Sequence, residues 1–146
     1  MTADLLLVCT TSTFKGKIDP RVRWLGQNDD YPLASEFWEA HGHALKREVW
    51  DQIHDEGFRY CGLIEDEVMA ARAAVWPYSQ TTWELAAVVT RDGCRQRGYG
   101  TAVCSFVTAY ILDSGRTATC HTQPDNWTMQ RVALSLGYQR ASLGLA

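Results

Sequence analysis

The sequence predicts a single mixed α/β (α+β) domain. A mixed central sheet combines an antiparallel meander with a β-α-β crossover, and helices lie on both faces. Three observations carry this. Residues 58–64, 68–76 and 82–90 are apolar, β-rich runs, separated by the polar turns Glu65-Asp66-Glu67 and Pro77-Tyr78-Ser79-Gln80. The third run leads through a glycine-containing turn into a helical run, 101–114, and then into a further β-rich run, 117–122. Strand–helix–strand is the right-handed crossover unit, so 117–122 is expected parallel to 82–90. Finally, 146 residues suit one domain that buries roughly two thirds of its unfolded surface.

Each element follows from local pattern. Residues 5–10 read as a short buried strand, bounded by Thr and Ser and then by Gly16 and Pro20. Residues 21–25 alternate polar and apolar and form a second strand, stopped by the polar stretch 26–30. Leu33, Phe37 and Ala40 share one face of a helix over 33–41. Leu45, Val49, Trp50 and Ile53 share one face of a second helix over 44–54, and Gly42 and Gly57 punctuate the pair. Over 101–114 the expected buried stripe is Val103, Phe106, Val107, Tyr110 and Ile111. Asp125 or Asn126 caps a helix over 127–136, Gly137 stops it, and 138–145 is a last short strand.

Composition narrows the classes. The chain is 46% apolar and 21% charged, as for a globular domain. Its apolar runs fall well short of the roughly 20 residues of a membrane helix. Acidic Asp4 precedes 5–9 where a signal peptide carries lysine or arginine, so the expected location is cytoplasmic, without a membrane partner. Five cysteines, odd in number and without Cys-x-x-Cys spacing, are expected to be buried small hydrophobes. His41, His43 and His54 lack a shared helix face, and no metal site is expected. Residues 1–67 hold 7 Lys+Arg and 13 Asp+Glu; residues 68–146 hold 7 Arg and 4 Asp+Glu. A basic half and an acidic half suit an anionic cofactor and a cationic acceptor better than a nucleic acid.

The basic half contains the turn Arg95-x-x-Gly98-x-Gly100 between strand and helix. Glycines admit close backbone approach to an anion, the first helical turn has unpaired N–H groups, and Arg95 and Arg97 add positive charge. Taken alone, the turn reads equally as a plain connection with its arginines in solvent. It is neither Gly-x-Gly-x-x-Gly nor Gly-Lys-Ser/Thr.

The element order, the Arg95-x-x-Gly98-x-Gly100 turn after the third meander strand, and Asp125-Asn126 opening a helix that ends Leu136-Gly137-Tyr138 together resemble the GNAT superfamily of acyl-CoA-dependent N-acetyltransferases. The resemblance spans roughly 20–146. It implies an acceptor-side half over 20–81 and an acetyl-CoA-binding half over 82–146; the N-terminal strand read from the residues, within 1–13, is additional to the family pattern. It also implies that Arg95 and the backbone of Gln96, Arg97, Gly98, Tyr99, Gly100 and Thr101 hold the pyrophosphate of acetyl-CoA as co-substrate. Pantetheine would pair along Val88, Val89 and Thr90 like an added strand, and Asn126 would touch the cofactor. A bulge in 82–90 and a splay from 117–122 would open the thioester cleft, with a bulge amide near Val88 as oxyanion donor.

The implied reaction is direct transfer of acetyl to a primary amine, on a small molecule or a peptide, in a ternary complex. Glu84, the only carboxylate of its strand, is the first candidate base; burial favours the neutral carboxyl and suits a base working near neutrality. Its plainer role is pairing with an arginine or facing solvent. Strict alternation puts Thr82, Glu84, Ala86 and Val88 on one face. The position where family members often have an acidic tyrosine is Ala133, and His121 is the candidate to assist. Trp38 and Trp76 are candidate walls of an acceptor pocket. After Gly137 nine residues remain, room for one closing strand, so the additional N-terminal strand, from the same chain or from a homodimer partner, is expected to cover the open edge. A non-catalytic acyl-CoA sensor is the alternative to an enzyme.

Overall fold

The structure, a computed structural model, describes residues 4–141. Its elements are β1 (Leu5–Cys9), β2 (Val22–Trp24), α1 (Tyr31–Ala40), α2 (Arg47–Asp55), β3 (Arg59–Glu65), β4 (Val68–Trp76), β5 (Thr82–Thr90), α3 (Tyr99–Asp113), β6 (Thr117–Thr122), α4 (Trp127–Ser135) and β7 (Gln139–Arg140). One seven-stranded mixed sheet runs in the order β2-β3-β4-β5-β6-β1-β7. The expected mixed fold is present. The helices start and stop within about three residues of the positions read from pattern, α3 beginning two residues early at Tyr99. Of the last expected strand, Gln139–Arg140 is formed and 142–146 lies outside the described residues.

The chain's own β1 fills the expected gap beyond β6. It pairs antiparallel with β6, Leu5 opposite Thr122 through Cys9 opposite Ala118, and with β7 on its other side. β1 is thereby paired on both sides, and among the described residues the outermost strand on this side is the two-residue β7.

Two apolar layers clamp the sheet. Against one face α3 and α4 bury Val103, Val107, Ile111, Ala133, Leu136 and Tyr138 with Leu63, Val75 and Leu85. Against the other, α1 and α2 bury Phe37 and Trp50 with Tyr60, Met69 and Ala74. The α3 stripe differs at two places: Phe106 and Tyr110 are only half-buried, because they flank the core and pack edge-on against Trp24. Cys9, Cys61, Cys104 and Cys120 are buried without disulfides, and desolvation pushes the Cys61 and Cys120 thiols up to about 12. Cys94 packs half-buried against the same layer.

Asp30 fixes the entry to α1. Its carboxylate accepts two bonds from Arg23 (2.7 and 2.9 Å) and one from the Gly26 amide (2.6 Å). This ties the β2 end to the helix start, where a carboxylate also meets the positive end of the helix dipole.

Candidate active site

The site grows from a local irregularity in β5. β5 pairs with β4 in register from Trp76–Glu84 to Ala74–Ala86, then shifts, and resumes at Arg72–Val89. The extra residue is accommodated at Ala87, whose φ is +56°. A bulge changes which face the following side chains meet. Glu84 and Ala86 precede it, whereas Val88 follows and packs into the α3 layer; Ala87 and Val89 pack into the α1 layer. The expectation that Val88 shares a face with Glu84 is therefore overturned: alternation counts residues, and the bulge inserts one.

On its other side β5 is parallel to β6, but only over Thr82–Thr117, Trp83–Ala118 and Glu84–Thr119. Beyond Glu84 the strands have no pairing. From Leu85 onward the β6-facing edge of β5 is free to accept an extended ligand. Val88, Val89 and Thr90 are half-buried along this stretch.

Glu84 sits where the two strands part, 9% exposed. Because Thr119 lies directly opposite, Thr119 and His121, two residues on, project on the Glu84 face. His121 Nδ1 is 2.5 Å from Glu84 Oε1, and Thr119 Oγ1 donates to the same oxygen at 3.1 Å. Tyr78 Oη lies 3.2 Å from Thr119 Oγ1. With the Thr119 proton directed at the carboxylate, Tyr78 donates to Thr119. A carboxylate at Nδ1 selects the tautomer that leaves Nε2 as acceptor, and Nε2 has no partner among the described residues. Thus the structure brings Glu84 and His121 together as a pair. It adds Thr119 and Tyr78, which carry no sequence signal because only the register of β5 on β6 recruits them. Ala133 is fully buried in the core, so no side chain reaches the cleft from that position.

The turn after β5 has the shape of an anion nest. Gln96 and Gly98 take positive φ, +64° and +78°, and Gly98 is the N-cap of α3. A Cβ built on Gly98 would meet nothing within 4 Å, so the concavity is open; one on Gly100 would come 3.3 Å from Thr90 Oγ1. Among the described residues no backbone bond uses the amides of Gln96, Arg97 or Gly98. Tyr99, Gly100 and Thr101 form the first turn of α3, where amides have no intrahelical partner. The Tyr99 side chain turns inward, its hydroxyl donating to Glu65 at 2.8 Å. Arg95 pairs with Asp92 at 3.1 Å in solvent, a contact of little stabilising value. These free amides and two exposed arginines fit a diphosphate. Beside them a cavity of about 590 Å³ opens between Gly98, Thr101 and Ser105 on one wall and Lys15, Lys17, Asp19 and Arg21 on the other, with Arg21 held by Asp19 and Glu65; this wall exists because 15–21 runs across α3.

Asn126 caps α4, accepting from the Met129 amide at 3.1 Å. Trp38 packs edge-on within the α1 layer against Tyr60 and Trp50. Trp76, the cross-strand neighbour of Glu84, is 43% exposed and stacks between Phe58 and Tyr78. Among the described residues no group of three metal-ligating side chains occurs, and no helix is long and apolar enough to cross a membrane.

A splayed β5–β6 pair, a bulge and an amide-lined turn at a helix start are features of the GNAT fold. The sequence profile of the FR47-like protein family matches residues 60–143, and the chain belongs to that family, within the GNAT superfamily. The fold is similar to that of a GNAT-family protein from Novosphingobium aromaticivorans (TM-score 0.74, 23% identity, 95% of this chain and 60% of that one). It is also similar to an acetyltransferase from the GNAT family from Colwellia psychrerythraea (0.74, 17%, 97% and 53%) and to the ribosomal-protein-S18-alanine N-acetyltransferase from Escherichia coli (0.66, 18%, 83% and 78%). The chain spans 60% and 53% of the first two. No curated protein sequence matches it.

Proposed function

We propose that the chain transfers an acetyl group from acetyl-CoA to a primary amine by direct attack in a ternary complex. The observation that carries this is the Glu84–His121 pair at the point where β5 and β6 part, next to a free strand edge and an amide-lined turn. Residues 96–101 hold the pyrophosphate with their backbone amides, assisted by Arg95 and Arg97. The free edge of Val88, Val89 and Thr90 accepts the pantetheine amides as a further strand would. Asn126, at the start of α4, contacts the bound cofactor.

The acceptor amine loses a proton as its nitrogen bonds to the thioester carbonyl carbon. His121 Nε2 takes that proton, with Glu84 holding the ring through Nδ1 and balancing the imidazolium charge. A bulge amide near Val88 donates to the oxyanion. As the C–S bond breaks, the thiolate leaves and the proton on His121 is available to it. A tyrosine from α4 is not needed in this scheme. Thr119, itself held by Tyr78, donates to Glu84, a positioning role.

The test is thiol release from acetyl-CoA across a panel of primary amines, followed by pH–rate profiles of Glu84→Gln and His121→Asn. General-base catalysis contributes about 10²- to 10⁴-fold. The expected result is that both variants fall in kcat by that order, retain acetyl-CoA affinity and lose the acid limb of the parent profile. Variants that keep the parent profile overturn the assignment. Acetyl-CoA binding without thiol release from any amine favours the sensor reading, to which buried Ala133 also points.

A further inference from the structure

β4 contains one charged residue, Arg72, in the run Val68-Met-Ala-Ala-Arg-Ala-Ala-Val-Trp76. Its side chain lies on the α1 side of the sheet. The guanidinium carbon sits 4.0 Å from the Trp38 ring centroid, 5.6 Å from Phe37 and 5.8 Å from Tyr60. Nε donates to the carbonyl of Ala87, the bulge residue, at 3.1 Å. That bond leaves both terminal nitrogens uncommitted. Among the described residues no carboxylate pairs with Arg72. Its neighbour in the same layer, Arg91, differs: Glu36 of α1 neutralises it at 2.5 Å.

A guanidinium desolvated on its faces and lacking an acid is costly to hold, and burial lowers its pKa accordingly. The terminal nitrogens are not among the sealed, unpartnered polar atoms of the protein, so they reach solvent. The aromatic ring set fixes the plane of the fork, and the Ala87 bond fixes its place at the bulge. Glu84 stands three residues upstream, about 10 Å along the strand. A planar fork immobilised in this way is shaped for bidentate carboxylate binding.

We propose that Arg72 is the anchor for a carboxylate on the acceptor, and that the acceptor class is carboxylate-bearing primary amines, amino acids above all. The inference rests on the acetyl-transfer reading above. In it the carboxylate docks on the Arg72 fork beside Trp38, and the amine is directed along β5 toward the bulge and the Glu84–His121 pair. Arg72 is thus a specificity-determining residue and takes no part in proton transfer.

The experiment is thiol release from acetyl-CoA with matched amino acids and amino-acid amides, α- and ω-amino, on the full chain and on Arg72→Gln and Arg72→Lys. The parent is expected to prefer the acids by about 100-fold in kcat/KM, the scale of a lost charge-assisted pair. Arg72→Gln erases that preference by raising KM for the acid, with acetyl-CoA affinity retained, and Arg72→Lys restores part of it. Equal use of acid and amide by the parent overturns the proposal. So does an Arg72→Gln variant that loses both equally, since that marks the Ala87 bond as the whole of its role. If no amine elicits thiol release from the parent, the acetyl-transfer reading fails, and calorimetric titration of the coenzyme-A-loaded protein with the same acids and amides reads Arg72 separately. Acid-specific binding that vanishes in Arg72→Gln upholds the anchor; identical heats overturn it.

Discussion

Gly98 is the residue on which the proposed acetyl-CoA site turns. Its φ of +78° would cost an L-residue about 1–2 kcal/mol, whereas its Cβ position is empty space. Strain and charge are therefore separable there. Gly98→Ala is expected to lose stability by that amount yet keep acetyl-CoA affinity within a few fold. Gly98→Asp sets a carboxylate against the pyrophosphate and is expected to weaken binding by about 100-fold or more, the scale of an uncompensated like charge. Equal affinity for the two variants, by calorimetry, removes the cradle. At this scale the sequence was partly legible. Glu84 stood out as the one acid of its strand and His121 as a lone strand histidine, each identifiable without the other. Their meeting depends on Glu84 lying opposite Thr119 in a parallel ladder, a register that no local pattern encodes. Arg72 carried the same signal as Glu84, one charge in an apolar strand, and the same reasoning applied to β4 would have found it.

At the scale of elements, β2 and α1 are joined by a partly desolvated ion pair. Arg23 first, then the Gly26 amide, holds the Asp30 carboxyl below the usual carboxylate range against the cost of burial. Asp30 ionises more readily folded than unfolded. Its contribution is therefore present above its unfolded pKa, near 4, and is lost as pH falls through the depressed folded value. Asp30→Asn is expected to cost about 2 kcal/mol at pH 7, shrinking toward zero in acid. Urea unfolding at several pH values checks it; a cost that is the same at pH 3 and pH 7 contradicts the linkage. The meander, the crossover and α4 were legible because turn residues and apolar periodicity are local. The bulge was not, because an inserted residue at Ala87 leaves the apolar run 85–89 unbroken; only the family resemblance suggested it. Its consequence, Val88 rotated into the α3 layer, reversed the alternation argument beyond Ala86.

For the whole molecule, the sheet divides the work. The α3 and α4 side carries the amide-lined turn, and the α1 and α2 side carries Trp38 and Arg72. The β5–β6 splay opens between them with Glu84 at its apex. β1 closes the far side by pairing with both β6 and β7, so the cleft wall formed by β6 is braced along its outer edge. The charge halves of the sequence do not map onto these layers one to one: Lys15, Lys17 and Arg21, from the acidic half, lie beside the turn, and Arg72 and Arg91, from the basic half, pack against α1.

The most direct measurement is a crystal structure of the chain with acetyl-CoA. The pyrophosphate is expected on the amides of 96–101, pantetheine paired along Val88 to Thr90, and the thioester in the splay within reach of the Glu84–His121 pair. Acetyl-CoA bound elsewhere, with the splay empty, would contradict it.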